Sequence, residues 1–191
     1  KAGTPLPAAL VLDGQALTLV SLHLNGSLLT PEQYTLTDET LTIHDMPEHA
    51  TLRIASTCSP ATNTSMAGLY VSGKSLFTQC EAQGFRKICW FADRPDVMST
   101  YEVTLRAKQD DYPLLLSNGN LISTKQLEDG RHEAKWQDPF AKPSYLFALV
   151  AGDFDCREQR TRTASGREVL LQVYSDPGTK EQTGWAMESL E

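Results

Sequence analysis

The feature that most constrains the fold of this chain is a period-two alternation of apolar and polar residues, repeated along most of its 191 residues. Successive side chains of a strand point to opposite faces, so this pattern is typical of strands with one buried face. The clearest examples are the runs LTLVSLHL, TLTIH, TLRIAST, TYEVTLRA and LISTKQLE. Such repetition predicts a mainly β, antiparallel fold with about a dozen strands.

Turn residues separate several of these runs. Asn25-Gly26, Asp38-Glu39 and Asp129-Gly130 each lie between two alternating segments. Asn-Gly and Asp-Gly are strong hairpin signals because both turn residues must reach positive φ. We therefore expect tight hairpins at these positions, as in an antiparallel β-sandwich or a saddle-like β domain.

Three segments differ from this pattern. The run GFRKICWFADRPDVM (84–98) contains Pro95, and a residue before proline avoids the α region, so a structured crossing loop is predicted. The longest apolar run, YLFALVAG (145–152), predicts a buried strand. The last residues, SDPGTKEQTGWAMESLE, predict a short helix capped at Thr179 or Thr183, with an end that frays.

The composition of the chain limits the kinds of partner that it is expected to bind. There are 17 Lys and Arg against 24 Asp and Glu, a net charge of −7 without a basic block, so nucleic acid is not predicted to bind. No stretch approaches the roughly 20 apolar residues needed to cross a bilayer, so no membrane role is expected. The initial segment KAGTPLP lacks the apolar core of a secretory signal and does not begin with Met. We expect a cytoplasmic protein of which this chain is a piece.

The four cysteines show no C-x-x-C pair, and a chain of this length can build a core without disulfides. They are expected to be reduced thiols packed as small hydrophobic groups, none of them unusually reactive. These residues are Cys58, Cys80, Cys89 and Cys156.

One carboxylate, Glu81, lies in a strand-like segment without an obvious partner nearby in the sequence. Alternation would place Phe77, Gln79 and Glu81 on one side of a strand and Cys80 on the other. A carboxylate only accepts hydrogen bonds, whereas a glutamine amide also donates, so the pair could bind a cation that forms hydrogen bonds. The alternative is a solvated strand edge with no specific role for either side chain.

The segment TQCEAQGFRKICWFADRPD resembles the N-terminal domain of zinc aminopeptidases of the aminopeptidase N type, in the bacterial branch. The spacing Gln79-x-Glu81, followed by Arg86, Asp93 and Pro95, matches the pattern of that family. The likeness continues through YPLLLSNGN, WQDPFAKPSYLFALVAGDFD and SGREVLLQVYSD. The first part of the chain matches more loosely, as strands rather than as motifs.

The resemblance implies a β-rich first domain laid over a thermolysin-like catalytic domain. It implies that Gln79 and Glu81 reach the active site and help bind the free α-amine and the first side chain of a peptide. We expect Arg86 to pair with a carboxylate under the loop and Pro95 to fix a turn. Both residues would support the structure and would not bind substrate. The partners implied are peptide substrates and the catalytic domain of the same polypeptide.

The zinc site of that family is not predicted in this chain. The family binds zinc through H-E-x-x-H on a helix, and this motif is absent from the sequence. His44 and His49 are separated by a proline, and His23 and His132 lie in alternating runs without further ligands at suitable spacing. Zinc is therefore expected in the parent enzyme, with no catalytic residue and no metal ligand in this chain.

The predicted organisation is an N-terminal β domain over residues 1–153 and the start of a truncated catalytic domain over residues 154–191. The predicted function is that of the amino-terminal, substrate-anchoring domain of a zinc aminopeptidase, which releases N-terminal amino acids from peptides. Alone the chain is expected to be inactive, because the metal and the general base lie elsewhere.

Two other functions remain open from the residues alone. A free-standing β-sandwich module could bind carbohydrate, peptide or protein, since β folds carry many functions. Trp90, Trp136 and Trp185 fall on different elements, which favours core or interface roles over a sugar platform. A thiol-redox protein is a more distant alternative. An exposed apolar patch is also expected where the catalytic domain would be met.

Overall fold

The computed structural model describes residues 9–191. The start of the chain, including the KAGTPLP segment on which the secretory-signal argument depends, lies outside the described residues. Fifteen strands and one α-helix are present in residues 9–191. The strands are β1 (Ala9–Asp13), β2 (Thr18–Leu24), β3 (Ser27–Leu28), β4 (Tyr34–Leu36), β5 (Thr40–His44), β6 (Leu52–Thr57), β7 (Gly68–Ser72), β8 (Ser75–Gln79), β9 (Ser99–Lys108), β10 (Leu114–Ser117), β11 (Asn120–Gln126), β12 (Arg131–Lys142), β13 (Leu149–Gly152), β14 (Asp155–Arg162) and β15 (Glu168–Ser175), and the helix is α1 (Gly184–Glu188).

Every strand pair is antiparallel, and the strands form five sheets. Their orders are β1-β5-β4, β3-β2-β6, β10-β13-β8-β7, β11-β12-β9 and β14-β15. The mainly antiparallel β fold predicted from the alternation is therefore confirmed. No helix among the described residues is long and apolar enough to cross a membrane.

Two hydrophobic cores hold four of the five sheets together. The first joins β1-β5-β4 to β3-β2-β6 and is completed by a tryptophan from the crossing loop; its buried members are Leu12, Leu22, Leu29, Leu41, Ile43 and Trp90. The second joins β10-β13-β8-β7 to β11-β12-β9 around Leu115, Ala134 and Ala151. Residues from facing sheets pack against each other in both cores, which is the arrangement of a β-sandwich.

The hairpin turns follow the sequence signals, with one difference. Asn25 and Gly26 both have positive φ, at 50° and 86°, and form the two-residue turn between β2 and β3. At Asp129-Gly130 only the glycine has positive φ, at 74°. The loop there is longer than a two-residue turn, closed by a hydrogen bond from Leu127 N to Arg131 O at 2.8 Å. A three-residue loop with glycine in its last position needs only one left-handed residue.

The run YLFALVAG is a strand only in its last four residues, Leu149–Gly152, and the expectation of one buried strand is wrong for the rest. Residues Ser144–Leu146 form a 3-10 turn instead. Asn118 explains the bend, because its amide donates to Leu146 O at 3.1 Å and accepts from Ala148 N at 2.6 Å. A side chain thus satisfies backbone groups that a strand would have paired.

The C-terminal segment contains a 3-10 turn over Lys180–Thr183 followed by α1, so the predicted short helix is present. Thr179 and Thr183 occupy the predicted N-cap positions of these two segments, but the side chain of neither threonine accepts a bond from a helix N–H. Thr179 Oγ1 donates to Asp176 O, and Thr183 Oγ1 donates to Lys180 O, each at 2.6 Å.

The crossing loop predicted for residues 84–98 is confirmed and is centred on a buried carboxylate, Asp93, which is 2% exposed. Its Oδ2 accepts from Arg86 N at 3.1 Å and from Arg86 Nε at 3.0 Å, and its Oδ1 accepts from Ser144 Oγ at 2.5 Å. Asp93 N donates to Asp13 Oδ2 at 3.0 Å. We refer to Asp13, Arg86, Asp93 and Ser144 as the Asp93 cluster. The expected pairing of Arg86 with a carboxylate is confirmed.

The Asp93 cluster should dominate local stability. Asp93→Ala would leave the Arg86 guanidinium, 20% exposed, without its main counter-charge, and we expect a loss of about 3 kcal/mol in the free energy of unfolding. Asp96→Ala is the matched control, since the Arg94–Asp96 pair is 65% and 69% exposed and should contribute less than about 1 kcal/mol. Urea denaturation of both variants measures the difference. Equal losses would contradict this assignment.

Candidate functional site

Gln79 and Glu81 lie at the end of the β7–β8 hairpin. The two strands are joined by Gly73-Lys74, and Gly68 pairs with Gln79 at their open end. The alternation predicted that the strand continues to Glu81, and this is wrong, because β8 ends at Gln79 and Glu81 begins a turn over residues 81–84.

The exposure of these residues nevertheless agrees with the sequence interpretation. Gln79 and Glu81 are both exposed, while Cys80 between them is 3% exposed. Gln79 Nε2 donates to the backbone carbonyl of Glu81 at 3.2 Å, so the two residues are in direct contact. The peptide bond after Glu81 is cis.

The Glu81 carboxylate is free to bind a further group. Within residues 9–191 it forms no hydrogen bond and no ion pair. Both oxygens can therefore accept from a ligand, and the Gln79 side-chain oxygen offers another acceptor beside them. The arrangement can bind a group that is positively charged and carries several N–H donors.

Tight backbone packing holds the turn against the hairpin. Gly84 N donates to Cys80 O at 2.7 Å, which closes the turn. The next residues, Phe85–Lys87, form a 3-10 turn whose Arg86 belongs to the Asp93 cluster. The turn that carries Glu81 is thus fixed at one end by β8 and at the other by a buried ion pair.

Sequence reasoning did not identify two members of that cluster. Ser144 and Asp13 are 51 and 80 residues from Asp93 along the chain. No local spacing signals a contact over such separations, because only the folded sheets bring the segments together.

The histidines form no metal site in the described part of the chain. No group of three or more His, Cys, Asp or Glu residues within 9–191 is arranged to hold a metal ion. His132 is buried with Nε2 at 2.7 Å from Tyr112 O, and His44 Nε2 lies 3.0 Å from Thr35 Oγ1. The donor set of residues 9–191 therefore does not fit a zinc ion.

Two thiols lie in an environment that disfavours the reactive form. All four cysteines are free. Burial is the main cause that raises the pKa of Cys80 to about 12, and the negative charge of Asp93 adds to it. The pKa of Cys89 is raised to about 12 for the same two reasons. A thiol kept protonated is a poor nucleophile, which argues against a redox function for this pair.

The three tryptophans do not form a ligand-binding platform. Trp90 is buried in the first core, and Trp136 packs on the second with Nε1 donating to Leu115 O at 3.1 Å. Trp185 is 79% exposed, on α1. No two of them face one groove as sugar stacking requires, so the carbohydrate-binding alternative has no support here.

Comparison with known proteins gives relatives over nearly the whole chain. The chain is 49% identical to aminopeptidase N of Escherichia coli over 183 residues, and 48% identical to aminopeptidase N of Haemophilus influenzae. These alignments cover 96% and 95% of this chain but 21% of each relative. The chain therefore spans about a fifth of the length of these relatives.

Solved structures agree with the sequence relatives. Legionella pneumophila aminopeptidase A, in complex with aspartic acid, is 40% identical and superposes with a TM-score of 0.92 over 96% of this chain and 22% of its own. An M1 zinc metallopeptidase of Deinococcus radiodurans, 15% identical, covers 90% of this chain and 40% of its own with a TM-score of 0.74, which shows the shared fold.

The fold and these matches define the class, which is a β-rich domain from the amino-terminal part of a peptidase. Residues 10–146 match the family described as the Peptidase M1 N-terminal domain, and the chain belongs to that family. The resemblance to the bacterial aminopeptidase N type, first carried by Gln79, Glu81, Arg86 and Asp93, is confirmed.

The raised thiol pKa values predict resistance to alkylation. With a pKa of about 12, about one molecule in a thousand carries a Cys80 or Cys89 thiolate at pH 9. We expect iodoacetamide at pH 8 to leave both residues unmodified in the native protein and to label both after urea denaturation, as read by peptide mass spectrometry. Rapid labelling of either residue in the native protein would contradict the raised pKa values.

The same shifts give alkaline pH a destabilising effect. The unfolded thiols ionise near pH 9, whereas the folded ones keep their protons to about pH 12. The two thiols therefore do not lower the free energy of unfolding below pH 9. As the pH rises from 9 towards 12, the unfolded state gains from their ionisation and the free energy of unfolding falls. Urea denaturation at increasing pH measures the slope, and the double variant Cys80→Ala, Cys89→Ala should show a shallower one.

Proposed function

We propose that this chain is the substrate-anchoring domain of a zinc aminopeptidase, in which Gln79 and Glu81 bind the free α-amine and first side chain of a peptide. The single observation that carries the proposal is the exposed Glu81 carboxylate. The carboxylate has no counter-ion within residues 9–191, and the backbone carbonyl of the same residue accepts a hydrogen bond from Gln79 Nε2. A peptide's α-ammonium is positively charged and has three N–H donors, and this carboxylate can accept hydrogen bonds from them.

The relatives support this assignment. The Escherichia coli and Haemophilus influenzae proteins are aminopeptidases, and the Legionella pneumophila aminopeptidase was solved with an amino acid, aspartic acid. Removing one residue from a peptide end requires that the amine be held at a fixed distance from the reacting bond. A carboxylate on a firmly seated turn is suited to that task.

The chemistry itself would belong to polypeptide outside residues 1–191. We propose that residues 1–153 form the β domain and residues 154–191 begin the catalytic domain. The two-stranded sheet β14–β15 starts at Asp155 and pairs with neither neighbouring sheet, which supports a boundary there. An isolated two-stranded sheet is marginally stable, so it is expected to be completed by the rest of a larger domain.

The same assignment defines the partners and the metal. Peptides would be the ligands, and the remaining catalytic domain would be the principal contact surface of the chain. Zinc, when bound in the parent enzyme, would activate water and polarise the scissile carbonyl. Nucleic acid and membrane are not proposed as partners, and the proposed location is the cytoplasm.

Neutralising the anchoring carboxylate should weaken turnover. In the parent enzyme, Glu81→Gln removes a charge-assisted hydrogen bond that contributes about 1.5–3 kcal/mol. We expect kcat/KM for an unblocked aminoacyl reporter to fall by about ten- to a hundredfold. Glu48→Gln, an exposed glutamate in another loop, is the control and should leave the value unchanged. An unaltered kcat/KM in Glu81→Gln would disprove the anchoring role.

The 191-residue chain alone should not hydrolyse peptides. Its described residues offer no group of side chains arranged to hold zinc and no metal-bound general base, so an aminoacyl anilide should remain intact with or without added zinc. The parent enzyme, assayed in parallel, should be active and should lose activity to a chelator. Hydrolysis by the chelator-treated chain would show that the chain carries its own catalytic groups.

A further inference from the structure

We propose that Gly84 is the positioning residue of the anchoring pair, because its backbone is seated directly on the open end of the β7–β8 hairpin. This backbone contact would determine the position of Glu81 relative to Gln79. The proposal rests on the anchoring function given above to those two residues. It adds that a neighbour without a side chain determines their geometry.

The backbone conformation does not explain why position 84 is glycine. Gly84 has φ of −86° and ψ of −20°, in the right-handed helical region that any L residue adopts. Alanine in such a conformation ordinarily stabilises a folded protein, because it restricts the unfolded chain more than glycine does. Some other constraint must therefore favour glycine here.

The space around Gly84 supplies that constraint. A Cβ at this position would lie 2.2 Å from Gln79 O, 2.8 Å from Gly68 N and 2.9 Å from Cys80 Cα. All three are backbone atoms, and Gly68 and Gln79 are paired across the hairpin. They cannot yield without separating the strand ends, so a side chain at position 84 would push the turn away from the hairpin.

Gly68 approaches the same contact from the other side. Its φ is +77°, and a Cβ there would lie 2.6 Å from Lys87 Cβ and 3.0 Å from Gly84 O. Two glycines therefore let backbone pack on backbone, with no side chain between. Such a contact has little freedom to slide, because no rotamer change can absorb a displacement.

The far side of the same segment is held by charge. Arg86 N, two residues after Gly84, donates to the buried carboxylate of Asp93. Glu81 thus lies in a turn whose two ends are fixed, one by the last pairing of β8 and the other by Gly84 and the Asp93 cluster. The position of the turn is set by these two sets of contacts and not by contacts of the Glu81 side chain.

The test is Gly84→Ala in the parent enzyme. We expect kcat/KM for an unblocked aminoacyl reporter to fall by about tenfold, mainly through a higher KM. An inhibitor that carries a free α-amine should lose affinity by a similar factor, whereas its des-amino analogue should bind within about twofold of its original affinity. A purely structural defect would weaken both inhibitors alike, and that outcome would overturn the proposal.

Gly184→Ala is the matched control. Gly184 is also in the right-handed helical region, with φ of −55°, and a Cβ there would meet nothing within 4 Å. This substitution should leave KM and both inhibitor affinities unchanged. A double-mutant cycle with Glu81→Gln adds a second readout, since Gly84→Ala should cost little once the carboxylate is gone. Fully additive losses would show that Gly84 does not act through Glu81.

The two hypotheses fail differently. If Glu81→Gln leaves kcat/KM unaltered, the anchoring function is wrong. If Glu81→Gln weakens turnover but Gly84→Ala leaves the preference for the free amine intact, only the positioning role is wrong. Should Gly84→Ala not yield folded enzyme, Ser144→Ala loosens the same segment by removing one bond to Asp93. A loss of amine preference in that variant supports the proposal, and an unchanged preference overturns it.

Discussion

The structure depends on one buried ion pair, between Arg86 and Asp93. Burying a carboxylate is unfavourable unless its charge and its lone pairs are satisfied, and here both oxygens are engaged, one by Arg86 and the other by Ser144. Arg86 lies in the same loop as Asp93, whereas Ser144 and Asp13 come from distant parts of the chain, and Asp13, at the end of β1, accepts from Asp93 N. A crossing loop without regular pairing thereby becomes a fixed support between the two cores.

That support determines where the candidate site lies. The Glu81 turn ends on the segment that Asp93 holds, and it begins on a strand that is paired on both sides within its sheet. A site on a loop is ordinarily mobile, whereas a site between two such anchors is held in place before any ligand arrives. Pre-organisation of this kind lowers the cost of ordering the site on binding, which suits the anchoring role proposed for Glu81.

The proposed function assigns two roles of a peptidase, substrate recognition and bond cleavage, to different parts of the polypeptide. Residues 9–191 contain no arrangement of metal ligands, yet they offer an exposed carboxylate with unused acceptors. In the proposed division, one part of the polypeptide recognises the substrate's end and another breaks the bond. The thiols near the Asp93 cluster fit neither role, because burial holds them in the protonated, unreactive form.

The sequence by itself determined the antiparallel β fold, the Asn25-Gly26 turn, the crossing loop and the exposed pair Gln79 and Glu81, because each follows from local periodicity, turn chemistry or a motif. Only the tertiary structure decided that β8 ends at Gln79 and that Ser144 and Asp13 complete the Asp93 cluster. The physical reason is that these outcomes depend on contacts between segments far apart in the chain. Whether a strand continues, and which distant hydroxyl meets a buried carboxylate, is set by packing and not by neighbouring residues.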